Sequence, residues 1–357
     1  MQNRREFIRS LALAGSAAGL APRTFAQGAV PKSAPGAVSF FLAADTHYRG
    51  DLDDVSRMDE TSADYNRRLV EWLNRLPGTQ FPDGIGGGIV PQPQGVLHGG
   101  DLVDTGDKGP SRSKMVETEL GAFIADWGLN GGDGKLRWQV REVHGNHDSP
   151  HGDGPVLAAI RERNKRRAGL AQLSDNGVHY SWDWGDVHFV ALGIVVGDAP
   201  EITRKRRYAP LGSLPFLQQD LELNVGKSGR PVVLMHHVDV HRYSVEVPDA
   251  KVVTNEWDYG DTHAFYKTIQ PYRVIATMCG HTHVRNIVRW NGTNNMRVTD
   301  GVPFLNTDNA GHFGSESQAF LHLEVDSKNL RVREFGTVDG WQTGSWTPQV
   351  WDFPFRA

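Results

Sequence analysis

The chain has 357 residues, with 38 basic side chains against 42 acidic ones, and 15 histidines. Apolar residues at 39% and charged residues at 22% exclude both a disordered chain and a membrane bundle. A single cysteine, Cys279, excludes an intrachain disulfide and any zinc site built from cysteines.

Asn3-Arg4-Arg5-Glu6-Phe7-Ile8-Arg9 precedes an apolar run from Ser10 to Ala21, then Thr24-Phe25-Ala26. A basic start, a short apolar stretch and small residues before a cut predict a signal peptide over 1–26, cleaved after Ala26. The apolar run reaches roughly 18 Å as a helix, too short for a hydrocarbon core of about 30 Å, so no transmembrane span is expected. Paired arginines before Glu-Phe-Ile resemble the twin-arginine export signal. That resemblance implies passage through the twin-arginine machinery to a periplasmic or extracellular location. Without residues 1–26 the chain keeps 34 basic and 41 acidic residues, a net −7 in place of −4. Such a surface has no general pull on nucleic acid or anionic lipid, and no nucleic-acid partner is expected. Residues 27–36 read as a flexible lead-in, and 37–357 as one domain.

From there, short apolar runs recur at Ala37–Ala44, Gly95–His98, Trp138–His144, Val187–Leu192, Pro231–Met235 and Val274–Met278. Most are rich in β-branched residues and end at Gly, Asp or His, which predicts buried strands. Tyr65, Leu69, Trp72, Leu73 and Leu76 share one helical face, and further helices are expected in 116–129, 155–167, 213–223 and 262–269. Hairpins are expected at Gly185-Asp186, at Asn291-Gly292 and at Asp326-Ser327-Lys328-Asn329. Strand–helix alternation followed by late hairpins predicts an α/β protein with a mixed sheet or two packed sheets. Ligands gather at the carboxyl ends of strands in such folds.

Five groups of oxygen and imidazole donors follow those runs: Asp45-Thr46-His47, Gly100-Asp101-Leu102-Val103-Asp104, Gly145-Asn146-His147-Asp148, His236-His237 and Gly280-His281-Thr282-His283. This donor chemistry suits divalent transition metals of intermediate hardness, such as Mn, Fe, Zn, Co or Ni. The i,i+2 pairs Asp45/His47 and His281/His283 can face one site only where the strand has bent into a loop. Each group alone is common; all five, in order and at strand ends, are not.

As a set, Asp45-x-His47, Gly100-Asp101-x-x-Asp104, Gly145-Asn146-His147-Asp148, His236 and Gly280-His281-x-His283 resemble the calcineurin-like metallophosphoesterase superfamily. The resemblance runs from about Ser39 to His283. It implies a four-layer αββα sandwich of two mixed sheets with two metal ions at the strand ends. Asp45, His47 and His283 would hold one ion, Asn146, His236 and His281 the other, and Asp101 would bridge them. His236 is preferred to His237 because it directly follows an apolar run; His237 is then expected behind a ligand or facing substrate. The implied reaction is hydrolysis of a phosphate ester of a small molecule by in-line attack of a metal-bridging hydroxide. His147 would be the general acid with Asp148 as its orienting partner. Asp104 is expected to support a ligand or stabilise a turn. Purple acid phosphatases carry a Tyr where this chain has Asp104 and lack a His at position 47. The pattern is therefore closer to the branch of cyclic-nucleotide and glycerophosphodiester phosphodiesterases, which favours a phosphodiester over a phosphomonoester. A reading from another class, a metal-dependent binding protein without activity, would call for a lost ligand or a lost His147, and the chain keeps them all.

Other features have two readings. Arg204-Lys205-Arg206-Arg207 either receives an anionic substrate or forms a solvated run, the second being preferred. The arginines and lysine of 161–167 are expected on the wet face of a helix. Asn306, Asp308 and His312 either line the pocket or form a turn network. His98 and His144 are expected to be buried inside strands, and the Trp341, Trp346, Trp351 and Phe353 tail is expected to pack back on the domain.

Overall fold

The computed structural model describes residues 36–244 and 255–355; the signal-like segment 1–26 and the lead-in up to residue 35 lie outside the described residues. In chain order the main elements are β1 (Val38–Ala43), α1 (Glu60–Arg75), β2 (Val96–His98), α2 (Ser113–Trp127), β3 (Val140–Glu142), α3 (Pro155–Lys165), β4 (Leu170–Leu173), β5 (Tyr180–Trp184) and β6 (Val187–Ala191). There follow α4 (Ser213–Asp220), β7 (Val232–Met235), α5 (Val240–Tyr243), α6 (Tyr259–Ile269), β8 (Val274–Cys279), β9 (Asn286–Trp290), β10 (Val302–Asn306), β11 (Gln318–Val325), β12 (Asn329–Thr337) and β13 (Ser345–Pro354).

Two mixed sheets result, in the orders β13-β12-β11-β1-β2-β3 and β4-β5-β6-β7-β8-β10-β9. β1, β2 and β3 run parallel in the first, and β6, β7, β8 and β10 run parallel in the second. The period of two along β1 sets the layers. Phe40 and Leu42 join Trp182, Phe189, Met235 and Leu323 in the core between the sheets. Phe41 and Ala43 face the opposite way, onto Leu69 and Leu73 of α1 and Phe123 and Trp127 of α2. Val232 and Leu234 cover the far face of the second sheet with Leu217 of α4 and Phe265 of α6. Burial of each such side chain contributes about 1.5–3 kcal/mol, so these three clusters fix the αββα order. Among the described residues no helix is long and apolar enough to cross a membrane.

The expected strands and helices form with small shifts of their ends. Helix α1 begins before Tyr65 because the Asp59 side chain accepts the Ser62 amide hydrogen and caps it there. The aromatic tail does pack back: Trp341 is buried against Phe320 and Phe335, and Trp346, Trp351 and Phe353 lie in or against β13, which pairs with β12. Two expectations are corrected. Asn291-Gly292 does not close a tight hairpin, since β10 is laid parallel to β8 and Trp290 of β9 pairs with Val302, leaving residues 291–301 as the connection. The basic residues of 161–167 are not all wet. Arg163 and Arg167 are buried around the equally buried Glu142, Arg163 Nε lying 2.6 Å from its carboxylate.

Candidate metal centre

The carboxyl ends of β1, β2, β3, β7 and β8 meet at one edge because all five point the same way within their sheets. Backbone bonds lock the loops that follow. The Asp45 amide donates to the Gly100 carbonyl (2.9 Å), that of His47 to Asp101 (3.1 Å) and that of Gly280 to His237 (3.1 Å). Left-handed backbone lets the i,i+2 pairs converge: φ is 56° at Asp45, 41° at His47, 53° at Asp101, 73° at His281 and 51° at His283. Each such residue costs about 1–3 kcal/mol of strain, and strain of this kind gathers at functional sites. Gly100, at φ 99°, could not be another residue without shifting the site, because a Cβ there would lie 2.5 Å from His237 Nδ1.

Asp45, His47, Asp101 and His283 form one donor group, with His47 Nε2 3.1 Å from His283 Nε2 and 3.6 Å from Asp101 Oδ2. Asp101, His237 and His281 form a second. There His237 Nε2 lies 3.2 Å from Asp101 Oδ2 and 3.1 Å from Asn146 Oδ1, which is 2.7 Å from His281 Nδ1. Asp101 belongs to both groups. Among the described residues, neither Asp45 nor Asp101 pairs with Lys or Arg, although both are buried.

Three imidazoles are held from behind. His47 Nδ1 lies 3.1 Å from Asp104 Oδ1, His237 Nδ1 2.8 Å from the Gly99 carbonyl, and His281 Nε2 2.7 Å from Glu256 Oε2. Each partner only accepts, so the outer nitrogen carries the hydrogen, and in the neutral ring the inner nitrogen offers a lone pair to the cluster. This donor set fits divalent cations. Without one, a proton takes the cation's place: burial opposes charge on His237, but Asp101 and Asp45 push it up to about 9. Burial likewise works against Asp101, yet His237, His47 and His147 hold it well below the usual carboxylate range.

Three placements differ from the expectation. His237, not His236, enters the cluster. Strand alternation sends His236 into the outer layer, where Nε2 meets Thr277 Oγ1 at 3.1 Å beneath Trp257, and burial pushes it down to about 3. Asp148 does not orient the ring of His147. Its carboxylate accepts the amides of Leu102, Val103 and Gly145, fastening two loops together, and burial with the charge of Asp101 pushes it up to about 7. The Asp104 carbonyl instead accepts from His147 Nδ1 at 3.0 Å, with Asp107 Oδ1 at 3.8 Å. Burial lowers His147, but Asp101, the Asp104 carbonyl and Asp107 raise it above the ordinary value.

Asp104 Oδ1 meets His47 Nδ1 on the side away from the cluster, and His98 and His144 are buried as expected, pushed down by burial to about 4 and about 3. Of the loop after β10, His312 reaches the cluster, its ring 4.7 Å from those of both His47 and His283, whereas Asn306 bonds Asp239 and Thr282 outside it. The parallel course of β10 beside β8 delivers His312 to that edge, which a hairpin reading hides. An isolated acid in a loop, as Glu256 is, carries no local sequence signal of its place behind His281.

The calcineurin-like phosphoesterase family profile matches residues 38–285, more than half of the chain. No curated protein matches. Among solved structures, a dimetal phosphatase from Danio rerio is 16% identical with a TM-score of 0.52, over 89% of this chain and 99% of that one. GAP50, the anchor in the inner membrane complex of Plasmodium, is 7% identical with a TM-score of 0.46, over 90% of each chain. At such identity the Danio rerio structure speaks for the fold alone. With the profile spanning β1 to the residues just after His283, the chain belongs to the calcineurin-like phosphoesterase family.

Proposed function

We propose that the chain is an exported, metal-dependent phosphoric ester hydrolase with two divalent transition metal ions, acting on a small phosphodiester. The observation that carries this is the buried carboxylate of Asp101, shared by two donor groups whose imidazoles are already fixed from outside. Asp45, His47, Asp101 and His283 would hold one ion; Asp101, Asn146, His237 and His281 would hold the other. Bound there, two ions supply Lewis-acid charge at the phosphoryl group and activation of a water.

The chain's own residues do the rest. Asp104 and Glu256 orient His47 and His281 through their outer nitrogens. His147, tethered at Nδ1 and 29% exposed, would hand a proton from Nε2 to the leaving oxygen. A diester is favoured by His47 together with Asp104 where a tyrosine would mark the other branch. Export rests on Arg4-Arg5 and the apolar run behind them, ahead of one domain over 37–357. Chelator-treated protein reconstituted with Mn, Fe or Zn should regain hydrolysis of aryl phosphate esters with the second equivalent, faster on diester than on monoester. Full activity with one equivalent or none overturns the reading. Arg4→Lys with Arg5→Lys should leave uncleaved precursor inside the cell; unchanged export would point to the general secretory route.

A further inference from the structure

The basic run 204–207 is divided by its alternation. Arg204 and Arg206 point inward and are spent. Arg204 grips Asp258 through Nε (2.5 Å) and a terminal nitrogen (2.8 Å), and Arg206 grips Asp261 in the same two-pronged way. Lys205 and Arg207 point outward. Lys205 is exposed and has no ion-pair partner among the described residues. Arg207 is half exposed and only 3.5 Å from Glu256 Oε1. That carboxylate also accepts from His281 and from the Tyr208 hydroxyl, which donates to Oε1 at 3.1 Å, so Arg207 meets it through one terminal nitrogen and keeps half of its side chain open to solvent.

The run is also held at the metal cluster. Glu256 ties Arg207 and Tyr208 to His281, and the Ala209 amide donates to the Pro150 carbonyl (3.0 Å), in the loop that carries His147. His151, Lys205, Arg207 and Tyr208 line one open depression of about 450 Å³, a size suited to a small-molecule group. In a chain that is net −7 without residues 1–26, an unpaired lysine and a half-exposed arginine with one shared counter-charge, both on a strut fixed by two bidentate ion pairs, are a preorganised feature.

We propose that Lys205 and Arg207 form an anion subsite beside the metal cluster, so that the substrate carries a second anionic group, a carboxylate or a further phosphate, beyond the scissile ester. The subsite rests on the phosphoesterase reading and narrows it to a substrate class.

The test measures binding of phenylphosphonate and of its 2-, 3- and 4-carboxy derivatives to the full chain loaded with two metal equivalents. The carboxy isomers scan the reach from phosphorus to the subsite. At least one isomer should bind about tenfold tighter than phenylphosphonate, the scale of a charge-assisted bond. Lys205→Ala and Arg207→Ala should each shrink that ratio, and the double variant should bring it near one with metal content still at two. Arg207→Lys should keep most of it. No preference in the native chain, a preference that survives in the double variant, or equal weakening of all analogues would overturn the subsite alone. Failure of the metal-loaded chain to bind any of the phosphonates would overturn the phosphoesterase reading and the subsite with it.

Discussion

His236 and His237 are adjacent, yet their imidazoles stand in different layers: His237 Nε2 lies 3.2 Å from Asp101, whereas His236 Nε2 meets Thr277 under Trp257. Strand β7 ends at Met235, and the His237 amide then donates to the Gly193 carbonyl, turning that side chain toward the first sheet. The pair therefore separates metal binding from packing. His237→Ala should remove one metal equivalent and lower turnover by at least about a hundredfold while the chain stays folded. His236→Ala should keep two equivalents and lose roughly 2–4 kcal/mol of stability through a cavity and an unpartnered Thr277. Elemental analysis beside denaturant melts reads both, and the opposite assignment of losses would refute the placement.

Asp101 lies in both donor groups, so its loss should not be local. Asp101→Asn should weaken both ions, with metal content falling below one equivalent after dialysis. The metal-free variant offers a second readout. Burial drives His237 down and the Asp101 charge drives it up to about 9, so removing the charge should drop the titration of that ring toward neutral pH. Imidazole resonances followed by NMR would show it. Two retained metals with an unmoved His237 would rule out the shared carboxylate.

The strands were legible because parallel strands covered on both faces read as near-continuous apolar runs, and these ended on the very residues that form the cluster. Which of two adjacent histidines turns inward was not legible, since that depends on where β7 bends and on Gly193 and Gly100 from distant loops. Asp148 misled for a related reason. Its neighbour in sequence is His147, but its partners are amides of Leu102, Val103 and Gly145. Glu142 lies within a strand-like run, with nothing local to show that Arg163 of a later helix and Arg167 just beyond its end would close around it.

That buried triad gives a pH prediction. Burial would raise Glu142, but Arg163 and Arg167 hold it at about 2. The folded value lies below an unfolded value of about 4.3, so the stabilisation is fully present above the unfolded value and is lost as pH falls through the folded one. The difference is worth roughly 3 kcal/mol. Stability should fall between about pH 5 and pH 2, and near neutrality this group should contribute in full but add no pH dependence. Glu142→Gln should flatten that acid limb and cost about 3–5 kcal/mol at pH 7, because two buried guanidinium groups lose their counter-charge. Urea melts at several pH values check it; an acid limb unchanged in the variant would assign the loss to other carboxylates.

His147 allows the sharpest separation of roles. Its backbone amide donates to Asp101 Oδ1 at 2.8 Å, and its ring is fixed by the Asp104 carbonyl near His47, so the residue is tied to the cluster without belonging to either of the donor groups that share Asp101. His147→Ala should keep both metals. If its work is to protonate the leaving oxygen, the loss must scale with the basicity of that oxygen. On an alkyl or ribosyl ester, turnover should fall roughly 10²–10⁴-fold, whereas a nitrophenyl ester, whose leaving group departs without a proton, should lose far less. Activity limited by the protonated ring declines as pH rises through its pKa, so the native alkaline limb on the alkyl ester should vanish in the variant. Equal losses on both esters with metals intact would instead make His147 a residue that positions the phosphoryl group. Loss of metal would make it a support of its neighbour Asn146, and either result would remove the general-acid assignment.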